Sequence, residues 1–250
     1  MLDLETPQIT SLVDNKDIVF YPETHTYVEK TTGRKLISVT TLIDKFKVPF
    51  DESGAIAARC AEREGIPVGE LLAQWEKTKV DACERGIYFH DQMEHYIKTK
   101  EIKDGPDKDI VEKFAKIPFT GRLYSEQIVY SLEDGIAGTV DIVEVKDDNS
   151  ITIWDAKTNK ALKKFSPWKK RMLFPVSHLY ECNFNAYQLQ LNFYAHLLEG
   201  KGFWVDDMKI LYINPKTRDI EVHDIKNEKR SRTVNILLSE SAEDKKTRYK

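Results

Sequence analysis

The chain is poor in cysteine. Its 250 residues contain three, Cys60, Cys83 and Cys182, widely spaced and with no CxxC pair. That argues against a disulfide framework or a zinc ribbon. An iron–sulfur cluster held by four thiolates cannot come from one such chain, so none is expected. Long apolar runs are also missing. None approaches the roughly 18 residues that span a bilayer. The opening MLDLETPQIT lacks the basic-then-apolar pattern of a secretory signal. The expectation is a cytoplasmic protein with no membrane association. Nor does one sign of charge dominate. Lys and Arg number 38 against 41 Asp and Glu, a net charge of −3, so overall charge does not advertise a polyanionic partner. No internal repeat or low-complexity segment stands out, and the length suffices to bury a sizeable core.

What is present is a change of pattern along the chain. Residues 17–39, DIVFYPETHTYVEKTTGRKLISV, alternate and turn at Thr32-Gly33, which predicts a β-ribbon. SVTTLIDKF follows, with Ser38 or Thr40 as the N-cap of a helix. From 53 to 100 the reading is helical: one helix ends near Gly65, another begins after Pro67, and a long one runs to about Thr99. Gly105-Pro106 precedes a further helix, DKDIVEKFAK. Three strands then follow, LYSEQIVYS, GIAGTVDIVEV and SITIWDAK, rich in β-branched and aromatic residues. After a basic loop come a buried helix over 183–199, the strands MKILYINP and DIEVHDIK, and a charged tail from 226 with a short helix. This order predicts one α/β domain with a mixed sheet and an N-terminal helical elaboration.

The stretch GTVDIVEVKDDNSITIWDAKTNK, 138–160, places acids inside apolar strands. Asp147-Asp148-Asn149 reads as a three-residue hairpin loop, with Asn149 tolerating a left-handed conformation. That register sets Val145 opposite Ile151 and carries on to Asp141 opposite Asp155. Directly opposed like charges are destabilising, so a positive charge is expected between them. Lys157, two residues beyond Asp155, points to the same side. A divalent cation would supply more charge, and carboxylates are the ligands a hard cation prefers. The plainer reading is an exposed hairpin end with two solvated acids. Such acids, a metal and a lysine are the parts that phosphodiester hydrolysis needs. The following run, KTNKALKKFSPWKKR over 157–171, has seven basic residues and no acid. It reads as a solvated face or as a track for a phosphate backbone.

GTVD…DAK resembles the GxxD…(D/E)xK signature of the PD-(D/E)XK nuclease superfamily, in its RecB-like exonuclease branch. RGIYFHDQMEHYI, with His90, resembles that branch's upstream glycine–histidine helix. QLNFY, 190–194, resembles its downstream QxxxY helix. ISVTTLIDKFKVPFD resembles the SVT segment of phage-encoded members and of mitochondrial genome maintenance exonucleases. The four pieces, in order, span 36–200. Val140 stands where the superfamily's proline would be, a departure common in this branch. The resemblance implies a restriction-endonuclease-like core: a mixed sheet flanked by helices, carrying an N-terminal β-ribbon and helical elaboration. One nuclease domain would occupy 1–250, with the elaboration in 1–80, the core in 81–225 and the tail in 226–250.

The resemblance also implies roles. Asp141, Asp155, Lys157, His90 and Glu126 would be catalytic. His90, Asp141, Asp155 and the backbone carbonyl of Ala156 would bind Mg²⁺ or Mn²⁺. Gln190, Tyr194, Ser38, Thr40, Lys160, Lys163, Lys164, Lys169, Lys170 and Arg171 would contact DNA, single-stranded or with free ends. Blander readings stand beside these. His90 sits by an apolar stripe of Phe89, Met93 and Tyr96 and suits a core histidine; Gln190 suits a polar core residue bonded to backbone. Ser38, Thr40 and Thr41 suit a helix cap, and Phe165 and Trp168 suit loop packing as well as base stacking. The expected activity is a metal-dependent deoxyribonuclease, an exonuclease of recombination, repair or replication from a phage or its bacterial host's cytosol. An oligomer or a recombination-protein partner is left open. A flap- or branch-specific endonuclease and a non-cleaving DNA-binding module of the same fold are the alternatives.

Overall fold

A computed structural model describes residues 12–49, 54–166, 169–225 and 232–240. The alternating N-terminal stretch forms three short strands, β1 (Ile18–Tyr21), β2 (Thr26–Glu29) and β3 (Lys35–Ser38). The first two pair antiparallel, as do the second and third. In the β2–β3 turn the Glu29 carboxylate accepts hydrogen bonds from Thr31, Thr32 and Arg34 and so pins the ribbon. Helix α1 (Val39–Asp44) starts directly at the end of β3, because Ser38 caps it: its hydroxyl accepts the Thr41 N–H at 3.1 Å.

Helix α2 (Ala55–Glu64) ends at Gly65, whose φ of 69° is the left-handed value that favours glycine. One unbroken helix, α3 (Val68–Thr99), then runs for 32 residues. The expected division into two helices after Pro67 is thus corrected; no proline interrupts the stretch, and Gly69 and Gly86 are tolerated within it. Helix α4 (Lys108–Phe114) follows, then strands β4 (Arg122–Ser131), β5 (Ile136–Val145) and β6 (Ser150–Lys157), helix α5 (Asn183–Glu199), and strands β7 (Trp204–Ile213) and β8 (Ile220–Asp224). Residues 232–240 are helical. The other residues of the expected tail, 226–231 and 241–250, lie outside the described residues.

The eight strands form one mixed sheet in the order β1-β2-β3-β5-β6-β7-β8, with β4 also on β5. Along one edge, β5 pairs antiparallel with β4 over its whole length. Its other edge is shared. β3 runs parallel to its start, at Ile37↔Ile136 and Ser38↔Ala137, and β6 runs antiparallel to its end, over 142–145. The sheet therefore forks beside residues 138–141. Helices cover both faces. Val143, Ile151, Ile153, Met208 and Ile210 pack with α1, α5 and the 232–240 helix. Ile142, Trp154, Ala156, Leu211 and Ile213 pack with α4 and the C-terminal half of α3. The result is a three-layer α/β architecture, a mixed sheet flanked by helices with a β-ribbon extension.

Candidate metal centre

The β5–β6 hairpin has the register expected from its loop. Val145 pairs with Ile151 and Ile142 with Trp154, and Asn149 adopts a φ of 64°. One further step brings Asp141 to the level of Asp155, where the ladder stops. Asp141 has turned to bond β6 by its side chain: Oδ2 accepts the Ala156 N–H at 2.7 Å.

A second acid lies on the other side. β4 pairs with β5 at Ser125↔Ile142 and Gln127↔Val140, which leaves Glu126 across from Asp141. Glu126 has a φ of 49°, an unusual value for a non-glycine residue inside a strand. The two strands change face here together. In β4, Tyr124 lies in the α5-side core before the break and Val129 after it; in β5, Ile136 and Val140 lie there before and Val143 after. Strict alternation would keep one parity throughout. The reversal gathers Glu126, Asp141 and Asp155 from three adjacent strands at the fork. Helix α3 brings His90 over them, with Nδ1 3.3 Å from Glu126 Oε1 and 3.7 Å from Asp141 Oδ1.

His90, Glu126 and Asp141 present ligand atoms within 4.8 Å of one another and can hold a metal ion. Donors around one hard cation, each about 2.0–2.6 Å from it, stand at such separations. Two carboxylates and an imidazole also have the right chemistry for a divalent ion. Of the expected metal-site residues, His90 and Asp141 stand in this group together with Glu126, and Asp155 stands beside it. Both Asp155 oxygens have protein partners: Oδ1 accepts from Gln190 Nε2 at 3.2 Å and Oδ2 meets Lys157 Nζ at 2.7 Å. Ala156 meets the site through its N–H.

Charges in the cluster depend on one another. Asp155 is fully buried, and burial, with Asp141 adding to it, pushes its carboxyl up to about 6 against the pull of Lys157. Burial alone would lower Lys157, but the Asp155 and Asp141 carboxylates outweigh it and hold the side chain as an ammonium. Both members of the pair shift upward, Asp155 chiefly because it is buried and Lys157 because two carboxylates face it. The Asp141 carboxylate, with Glu126 assisting and burial opposing, raises His90 to about 9. Lys157 also lies 4.8 Å from the Tyr187 ring centroid, a cation–π contact.

Helix α5 supports the acids. Gln190 Nε2 donates to both Asp155 and the Tyr194 hydroxyl, the latter at 2.9 Å. Gln190 and Tyr194 are buried, so they hold Asp155 rather than face solvent. The Tyr194 ring lies against Gly138, where an added Cβ would come within 2.5 Å of Cε1. The glycine of GTVD and the tyrosine of QLNFY are thus two halves of one contact. Tyr187, not singled out in the sequence, shares the α5 face of Gln190 and Tyr194 at helical spacing, a signal that could have found it.

The remaining expected DNA contacts lie apart. Ser38 and Thr40 are joined by a 3.1 Å hydroxyl contact at the start of α1, and Ser38 serves as its cap. Lys160, Lys163, Lys164, Lys169 and Arg171 are exposed on the loop after β6. Arg171 stacks on Tyr180 at 3.8 Å. Lys170 is ion-paired with Glu181 at 2.9 Å, so its charge is already matched. Phe165 is exposed and packs edge-on to Tyr180, while Trp168 lies outside the described residues. Cys60, Cys83 and Cys182 are free thiols. No helix among the described residues is long and apolar enough to cross a membrane.

No protein-family model matches the chain, and no curated protein matches it. Solved structures do. One, SSO0001, overlaps with a TM-score of 0.40 at 16% identity, over 82% of this chain and 72% of that chain. Another, a protein from Eubacterium rectale named "Putative exonuclease", overlaps with a TM-score of 0.43 at 13% identity, over 83% and 79%. At TM-scores below 0.5 these overlaps carry no correspondence between residues.

Proposed function

We propose that the protein is a metal-dependent deoxyribonuclease of the RecB-like PD-(D/E)XK type, acting as an exonuclease on DNA. The observation that carries this reading is the fork itself. Two carboxylates from neighbouring strands meet one imidazole, and a third from the next strand stands beside them with a lysine ammonium held against it. Like charges brought together this way are costly unless a cation joins them. His90, Glu126 and Asp141 are the residues that would hold it, and the mixed nitrogen and oxygen donors suit Mn²⁺ as well as Mg²⁺. A divalent cation there supplies charge neutralisation at a phosphoryl oxygen and lowers the pKa of water.

The chain's own groups do the rest. The Lys157 ammonium donates hydrogen bonds to a phosphoryl oxygen and stabilises negative charge as it grows there. Asp155 fixes that lysine, and Gln190 fixes Asp155. The Tyr187 ring keeps the ammonium on the acid side. Exposed cations on the loop after β6 attract the DNA backbone. The 81–225 core carries the metal group and lysine, and the ribbon in 1–80 buttresses the fork through the β3–β5 pairing.

Digestion of end-labelled linear and closed circular DNA, each single- and double-stranded, with and without Mg²⁺, tests the proposal. Release of nucleotides from linear DNA only, stopped by chelation and absent in Lys157→Ala and Asp155→Asn, is expected. Cleavage of circles or flaps would turn the reading to an endonuclease. Normal rates in both variants would end it.

A further inference from the structure

A cleft of about 610 Å³ lies between the last turn of α3 and the first half of β4, lined by Tyr96, Lys98, Lys100, Phe119, Arg122 and Tyr124 among others. Three of its twelve lining residues are cationic and none is acidic. Lys98 is matched by Glu94 at 2.6 Å. Lys100 and Arg122 have no carboxylate partner among the described residues. They lie instead over aromatic rings on the two faces of the open β4 edge: Lys100 is 5.4 Å from the Tyr96 centroid on the α3 side, and Arg122 is 5.2 Å from that of Tyr124 on the α5 side. Cations interleaved with aromatic rings are the chemistry that binds a single nucleic-acid strand.

The cleft is walled by the same elements as the metal centre. Its lining includes Ser125, the neighbour of Glu126. Tyr96 follows His90 on α3 by less than two turns, about 9 Å along the axis. The two elements that supply His90 and Glu126 therefore also wall the cleft. Its volume suits one ligand of small-molecule size, about 300–1,000 Å³, the scale of one or two extended nucleotides. The β4 edge lining it has no strand partner among the described residues, which leaves it open. A peptide could add to such an edge, but unmatched cations, the lack of acids and walls shared with the metal centre favour a polyanion.

From these features we infer that the cleft binds the single-stranded DNA segment flanking the scissile phosphate. Lys100 and Arg122 hold its backbone, and Tyr96 and Phe119 meet its bases. The inference rests on the nuclease reading for its substrate, yet it can be tested without cleavage. The probe is a fluorescein-labelled oligothymidylate, titrated with the full chain in EDTA over a range of salt. Lys100→Glu/Arg122→Glu should weaken binding about tenfold or more at low salt. It should also flatten the salt dependence by about 1.4 in log–log slope, two phosphate contacts' worth. Both side chains are exposed, so the fold should survive, and an unchanged melting temperature checks this. An affinity and slope equal to wild type, or a wild type that does not bind the oligonucleotide, overturns the cleft assignment. If wild type cuts DNA while the double variant binds normally, the cleft fails and the nuclease reading stands. Charge-dependent binding by a wild type that never cuts upholds the cleft and removes the nuclease.

Discussion

Asp141 and Glu144 lie three residues apart on β5, and both are buried. Their surroundings are opposite. Glu144 is saturated by neutral donors: one oxygen accepts from Thr120 N–H, Thr120 hydroxyl and Gly121 N–H, and the other accepts the Trp154 indole N–H at 3.0 Å. Asp141 takes one backbone N–H and otherwise faces Glu126, His90 and the level of Asp155. A carboxylate enclosed by donors needs no cation and ties the strand to the segment before β4. One surrounded by further carboxylates does need a cation. Burial alone does not distinguish the two; the charge of the neighbours does.

Substitution should separate them cleanly. Asp141→Asn keeps the shape and an acceptor for Ala156 N–H, so cleavage should fall by roughly 10²–10³-fold or more. The melting temperature in chelator should change little, because relief of repulsion from Glu126 and Asp155 offsets the lost attraction to His90 and Lys157. Glu144→Ala should do the reverse. It strands an indole N–H and two backbone N–H groups, at about 2–4 kcal/mol of stability by denaturant titration, while folded protein still binds Mn²⁺ with wild-type stoichiometry. A stability loss in the first or a metal defect in the second would break the comparison.

A smaller effect is expected at Gly138, where Ala would press on the Tyr194 ring. The cost should be about 1–3 kcal/mol, with cleavage reduced because Gln190 and Asp155 move with Tyr194. Smallest is the pH effect. The folded state raises His90 to about 9, above its ordinary 6.5. In metal-free protein its ion pairs therefore stabilise fully below about pH 6.5 and fade as pH rises through 9, by about 1–2 kcal/mol. His90→Gln should flatten that slope in chemical unfolding, and Glu144→Gln should leave it.

Much of this architecture was legible because local rules governed it. A three-residue loop ending in Asn149 fixes the β5–β6 register, and the 183–199 helix was readable to its ends. The unbroken α3 was not, since nothing in the sequence reports how little of its first half must pack. The site was legible in part. Asp141, Asp155 and Lys157 stood out because acids interrupted apolar strands. Glu126 drew attention only through resemblance, because the paired reversal of faces in β4 and β5 depends on tertiary packing. Glu144 escaped notice because a glutamate inside a strand reads as solvent-facing until its donors, some 24 residues earlier in the chain, fold onto it.

The central claim is that the acids at the fork bind a divalent cation to cut DNA. Its most direct test is the initial rate of nucleotide release from end-labelled linear DNA across a Mg²⁺ or Mn²⁺ titration, for wild type and Asp141→Asn. The account predicts a saturable metal dependence in wild type, abolished by EDTA, and no comparable rate in the variant at any metal concentration. A wild-type rate indifferent to EDTA, or an Asp141→Asn curve that overlays wild type, would contradict it.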